Sequence, residues 1–143
     1  MKIVVSDSKT GKAYQRDVAK EKESLLVGKR IGEKVDGGII GLTGFMLEIA
    51  GGSDVAGFPM RKDITGSKRI VALLTGGTGV RGLRKGGRKA KRVSGSAISA
   101  QTAQVNAKIS EYGAKPLEEL GFVLAPKEKK GEKAGDKNAG AKK

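Results

Sequence analysis

The 143-residue chain is long enough for one domain with a modest core, and its 37% hydrophobic content supports a folded protein. It has no Cys and no His, which excludes a disulfide framework, thiolate chemistry, the commonest general base and the usual zinc ligands. The net charge of +14 instead points to a polyanionic partner.

In chain order, "KIVVSD" reads as a β-strand, "SKTG" as a turn and "KAYQRDV" as the return strand. Asp7 interrupts the first apolar positions too early for a signal-peptide core, and no apolar run approaches the ~20 residues of a membrane span. The expectation is a soluble, cytoplasmic protein. "KEKESLLVGKRIGEKV" has mixed helical character and predicts a short helix broken by Gly28 and Gly32, and "DGG" from Asp36 marks a further turn. "IIGLTGFMLEIAGG" predicts one or two short strands, with Phe45, Leu47 and Ile49 alternating against Met46 and Glu48. "SDVAGFPMRKDITGS" is loop-like, and "KRIVALLT" is the clearest candidate for a buried strand.

Residues 97–110, within "GSAISAQTAQVNAKIS", stay open between two periods. Ile98, Val105 and Ile109 share a helical face, while Ala103, Val105, Ala107 and Ile109 alternate as in a strand. "KPLEELGFVL" predicts a short helix opened by Pro116 and stopped by Gly121, with Glu118 and Glu119 on its surface. Short strands at close spacing with glycine turns suggest a small barrel or curled sheet. The reading is therefore mainly β: a small β-barrel-like domain over 1–126 with short helices, followed by a Lys-rich tail over 127–143. That tail has only alanine among apolar residues and is expected to be disordered alone.

The charge is unevenly placed. From residue 64 to 110 there is no acidic side chain, but Lys68, Arg69, Arg81, Arg84, Lys85, Arg88, Lys89, Lys91, Arg92 and Lys108 are all present. Within this region Gly77-Thr78-Gly79-Val80-Arg81-Gly82 fits the G-x-G-x-x-G of dinucleotide-binding loops. That fingerprint needs a helix starting at the loop, because the pyrophosphate rests on its N-terminal N–H groups. Here "LRKGGRKAKR" follows, and Gly86 and Gly87 would each cost ~1 kcal/mol inside a helix. No acidic residue stands at the ribose-binding distance either, since the next carboxylate is Glu111. No nucleotide cofactor, metal or small-molecule substrate is expected.

Seven like charges in residues 81–92 repel one another in water, so a compensating anion is expected. Arginine forks suit bidentate phosphate contacts, and the intervening glycines permit close backbone approach. With no Phe, Tyr or Trp in the basic region, stacked single-stranded bases fit poorly. Phosphate and shape contacts on folded RNA fit better, although composition leaves DNA open. The expected contacts are Arg81, Arg84, Lys85, Arg88, Lys89, Lys91 and Arg92, helped by Arg61, Lys62, Lys68 and Arg69.

The loop "IAGGSDVAGFPMR" resembles the signature of the eukaryotic- and archaeal-type small-subunit ribosomal protein numbered six, through Gly51, Gly52, Asp54, Gly57, Pro59 and Met60. "LLTGGTGVRGLRKGGRKAKRVSG" is similar to that family's glycine- and arginine-rich segment, and the resemblance covers about residues 1–125. It implies a β-barrel-like fold and a structural, non-enzymatic role on small-subunit rRNA, beside neighbouring ribosomal proteins. The short tail, without Ser, Thr or Tyr, departs from the eukaryotic members' long phosphorylated extension and looks archaeal. It fits equally a segment laid along rRNA and one free in solvent. Read physically, the signature is a compact turn: Gly51 and Gly52 are free to take positive φ, Asp54 caps the backbone, and Pro59 fixes φ. The rival is a general RNA-binding or chaperone protein that is not integral to the ribosome.

Overall fold

The β-branched run at the N-terminus forms β1 (Lys2–Ser6), which buries Ile3 and Val5 on one face. The turn that follows is organised by Asp7. Its carboxylate accepts from the Lys9 N–H at 2.9 Å and the Thr10 hydroxyl at 2.7 Å, while Gly11 turns at φ 68°. The chain returns as β2 (Ala13–Asp17), which pairs antiparallel with β1. In the computed structural model, residues 1–113 are described. The helix expected over 115–124 and the boundary expected at 126 lie outside the described residues.

A single helical turn, α1 (Lys20–Glu23), is followed by breaks where expected: Gly28 has φ 89° and Gly32 has φ 96°. Their N–H groups bond the carbonyls of Ile98 and Ile49, at 2.9 and 2.8 Å, tying this crossing segment onto the sheet. Then come β3 (Lys34–Asp36), a 3₁₀ turn at Gly37–Ile40, and β4 (Met46–Asp54). In β4 the expected alternation holds, with Leu47 and Ile49 buried and Met46 and Glu48 less so.

The sequence ambiguity over residues 97–110 resolves as strand: β7 (Thr102–Glu111) buries Val105, Ala107 and Ile109. The decision is tertiary, because β7 lies between β1, parallel to it, and β4, antiparallel to it. A five-stranded sheet results, in the order β2-β1-β7-β4-β3. Phe45, Leu42, Leu26 and Ile98, all nearly fully buried, cover the sheet's apolar face and complete the main core. Among the described residues, no helix is long and apolar enough to cross a membrane.

Two expectations need correction. The mainly-β class is right, but no barrel closes. Closure would require β2 to pair with β3, whereas they are opposite edges of an open sheet, and the chain between them crosses onto the core. The second concerns "KRIVALLT". It does form a strand, β5 (Arg69–Leu74), yet it is not buried: Val71 is 61% and Leu73 64% exposed. Its partner within a separate two-stranded ribbon is β6 (Lys89–Ser94), whose Lys89, Lys91 and Arg92 stand in solvent. The ribbon has its own small core of Leu74, Val80 and Val93, flanked by Ile64, Ala72 and Leu83.

Candidate nucleic-acid interface

The basic segment is a hairpin, with β5 and β6 joined by the glycine-rich loop over 75–88. Arg81, Arg84, Lys85, Arg88, Lys89, Lys91 and Arg92 are all exposed, and among the described residues none of them pairs with a carboxylate. Lys62 and Lys68 are exposed beside the same hairpin. The turn glycines give the loop its shape, with Gly77, Gly79, Gly82 and Gly86 all at positive φ.

The remaining two expected contacts, Arg61 and Arg69, are engaged within the fold. Arg69 Nε donates to the carboxylate of Asp54, which is buried at the end of β4. That hydrogen bond holds the Asp54 carboxyl below the usual carboxylate range against the opposing effect of burial, and in turn raises the Arg69 pKa. Arg61 donates from Nη1 to the carbonyls of Gly76 at 3.2 Å and Thr78 at 2.8 Å, and from Nη2 to Asp63. Only 13% of its side chain is exposed.

The signature loop is the mount for this hairpin. The Ser94 N–H bonds the Pro59 carbonyl at 2.9 Å, and the Arg61 N–H bonds the Ser94 carbonyl at 3.1 Å, so the segment around Met60 runs beside β6. The Asp54 carboxylate accepts from the Val55 N–H at the start of this loop as well as from Arg69. Gly57 has φ 80°, but Gly51 and Gly52 lie in β4 without positive φ. A Cβ on Gly52 would meet the Gln104 carbonyl at 2.4 Å, so close strand approach at an irregular stretch of β4, not turn conformation, requires this glycine.

Sequence reasoning missed Phe58. The loop brings its half-buried ring next to the basic ribbon, with the guanidinium carbons of Arg69 and Arg92 at 5.7 and 5.9 Å from its centroid. No local pattern signals this pairing, because Phe58 is outside the basic run. An open concavity of about 620 Å³ lies alongside, lined by Gly57, Pro59, Gly77, Thr78, Gly79, Val80, Arg81, Lys89 and Lys91. No acidic side chain lines it. Among the described residues, no three His, Cys, Asp or Glu side chains cluster so as to hold a metal.

An open mixed sheet that mounts an uncompensated cationic hairpin through a glycine–proline loop defines a mainly-β protein whose distinguishing surface is a basic one. The chain belongs to the ribosomal protein S6e family, whose model matches residues 1–121. It is 48% identical over 142 residues to the small ribosomal subunit protein eS6 of Methanocella arvoryzae, covering 99% of this chain and 97% of that protein. The protein of the same name from Methanocaldococcus jannaschii is 48% identical over 119 residues, covering 83% and 88%. That from Methanothermobacter thermautotrophicus is 44% identical over 119 residues, covering 83% and 93%. The family is one of structural proteins, not enzymes.

Proposed function

We propose that this chain stabilises folded small-subunit rRNA by laying its β5–β6 hairpin along the sugar–phosphate backbone. Membership in the family makes the chain a ribosomal protein working in the cytoplasm, and its relatives bear the small ribosomal subunit in their name. Its partners are thus rRNA and neighbouring ribosomal proteins. One observation carries the finer reading: seven exposed cations on one hairpin have no carboxylate partner among the described residues.

The physics of such a grip is counterion release. Each phosphate neutralised displaces condensed cations, so affinity falls with salt at a log–log slope of about −0.9 per contact on the B-DNA scale. Ordering a glycine-rich loop opposes binding at ~1–2 kcal/mol per residue, and several simultaneous contacts offset it. The structure lowers that cost at residues 76–79, where Arg61 already holds the backbone.

The test is rRNA binding across a salt series. Replacing Arg81, Arg84, Arg88 and Arg92 with Gln is expected to weaken binding and flatten the slope by about 3 to 4. Unchanged affinity and slope would remove the hairpin from the interface.

A further inference from the structure

We infer that residues 76–81 form a built seat for a single phosphate group, with the backbone amides of Gly77 and Gly79 as donors and Arg61 as the positioning residue. The inference rests on the reading of the hairpin as an RNA grip, and it names the ligand chemistry as one phosphodiester oxyanion.

The orientation follows from peptide geometry. In a trans peptide the C=O and the following N–H point in opposite directions. Arg61 Nη1 draws in the carbonyls of Gly76 and Thr78, so the N–H groups of Gly77 and Gly79 point away from it. The Val80 N–H closes a turn onto the Gly77 carbonyl at 3.1 Å. Within that turn Thr78 has negative φ and Gly79 has φ 91°, which identifies type II, the turn that flips its central peptide and demands glycine at the third position. Neither the Gly77 nor the Gly79 amide has an acceptor among the described residues.

Both glycines line the open concavity, where Arg81, Lys89 and Lys91 supply positive charge and no carboxylate competes. Backbone N–H groups that a turn leaves unpaired beside one hollow make an anion-binding concavity. Arg61 does not itself reach for the ligand, because its guanidinium is occupied by two carbonyls and Asp63. The loop thus offers an anion the same kind of donors as a dinucleotide fingerprint, without the helix.

The experiment is ¹⁵N NMR on the full chain, titrated with inorganic phosphate and then with a short RNA duplex, alongside Arg61→Gln and Arg88→Gln. The expected result is a saturable downfield movement of the Gly77 and Gly79 amide protons with both probes. It persists in Arg88→Gln and is lost in Arg61→Gln, whose RNA affinity falls about tenfold. If the duplex binds while both amides stay still, the seat is overturned and the wider interface stands. If phosphate moves both amides but the four-arginine variant binds rRNA unchanged, the seat stands and the wider interface falls. Should Arg61→Gln unfold the hairpin, the titration of the unsubstituted chain decides alone: amides unmoved by either probe overturn the proposal.

Discussion

Arg69 donates its Nε–H to the buried carboxylate of Asp54, and this contact joins the first residue of the basic ribbon to the last residue of β4. Asp54 also accepts from the Val55 N–H at 2.5 Å, so a single carboxylate terminates one sheet and orients the other. Asp54→Ala removes a buried acceptor for both donors. It is expected to destabilise the protein by about 1–3 kcal/mol in urea denaturation. Arg88→Gln, on the exposed loop, is expected to leave stability unchanged and weaken RNA binding. If Asp54→Ala unfolded at the wild-type midpoint, the ribbon would be mounted by other contacts.

The second buried carboxylate gives the acid stability its shape. Burial pushes the Asp7 pKa up, but hydrogen bonds from Tyr112, Thr10 and the Lys9 N–H outweigh it, and the net effect is below the ordinary 3.8. Asp54 is lowered too, by Arg69 first. A carboxyl with a depressed folded pKa contributes its full stability above its unfolded value, and loses it as pH falls through the folded value. The expected profile is flat in these terms at neutral pH and declines below about pH 4. Tyr112 donates to Asp7 Oδ1 at 2.5 Å, and that bond raises its pKa above the ordinary 10.0. Its contribution is therefore present below pH 10 and lost at higher pH. Thermal melts across pH should show both limbs, with Tyr112→Phe softening the two together and Asp54→Asn only the acid one.

Neighbouring glycines in the signature loop should behave differently. A Cβ on Gly51 would meet nothing within 4 Å, whereas one on Gly52 would lie 2.4 Å from the Gln104 carbonyl and 3.0 Å from Met60 Sδ. Gly51→Ala is expected to be nearly neutral. Gly52→Ala forces β4 from β7 and is expected to cost about 1–3 kcal/mol. Equal effects in a denaturation series would show that the requirement is conformational rather than steric.

The contrast also marks what a sequence can state. The β1–β2 hairpin, the breaks at Gly28 and Gly32 and the Leu47–Ile49 alternation are legible because each depends on residues within a few positions. The strand over 102–111 was undecidable locally: its apolar spacing serves either period, and β1, from the other end of the chain, settles it. Ile70, Val71 and Leu73 stand exposed, against expectation, for a related reason. A β-branched run specifies a strand but not what will cover it. At the candidate site, the seven clustered cations were legible from composition, whereas the inward roles of Arg61 and Arg69 depend on carbonyls and a carboxylate brought in by other segments.

The two faces of the ribbon should respond differently to truncation. Register places Val71 opposite Arg92 and Leu73 opposite Ala90, while Ile70 pairs with Val93 on the other face of the ribbon. Val93 is fully buried, in the small core with Leu74 and Val80. Val93→Ala is therefore expected to destabilise the ribbon by about 2 kcal/mol through lost burial and a cavity. Leu73→Thr trims an exposed side chain and introduces a β-branched one that suits a strand, so its cost is expected to stay within about 0.5 kcal/mol. Hydrogen exchange of the β5 and β6 amides reads this locally, with protection falling in Val93→Ala and holding in Leu73→Thr. A large loss in Leu73→Thr would mean that the outer face of the ribbon is covered by packing rather than open to solvent.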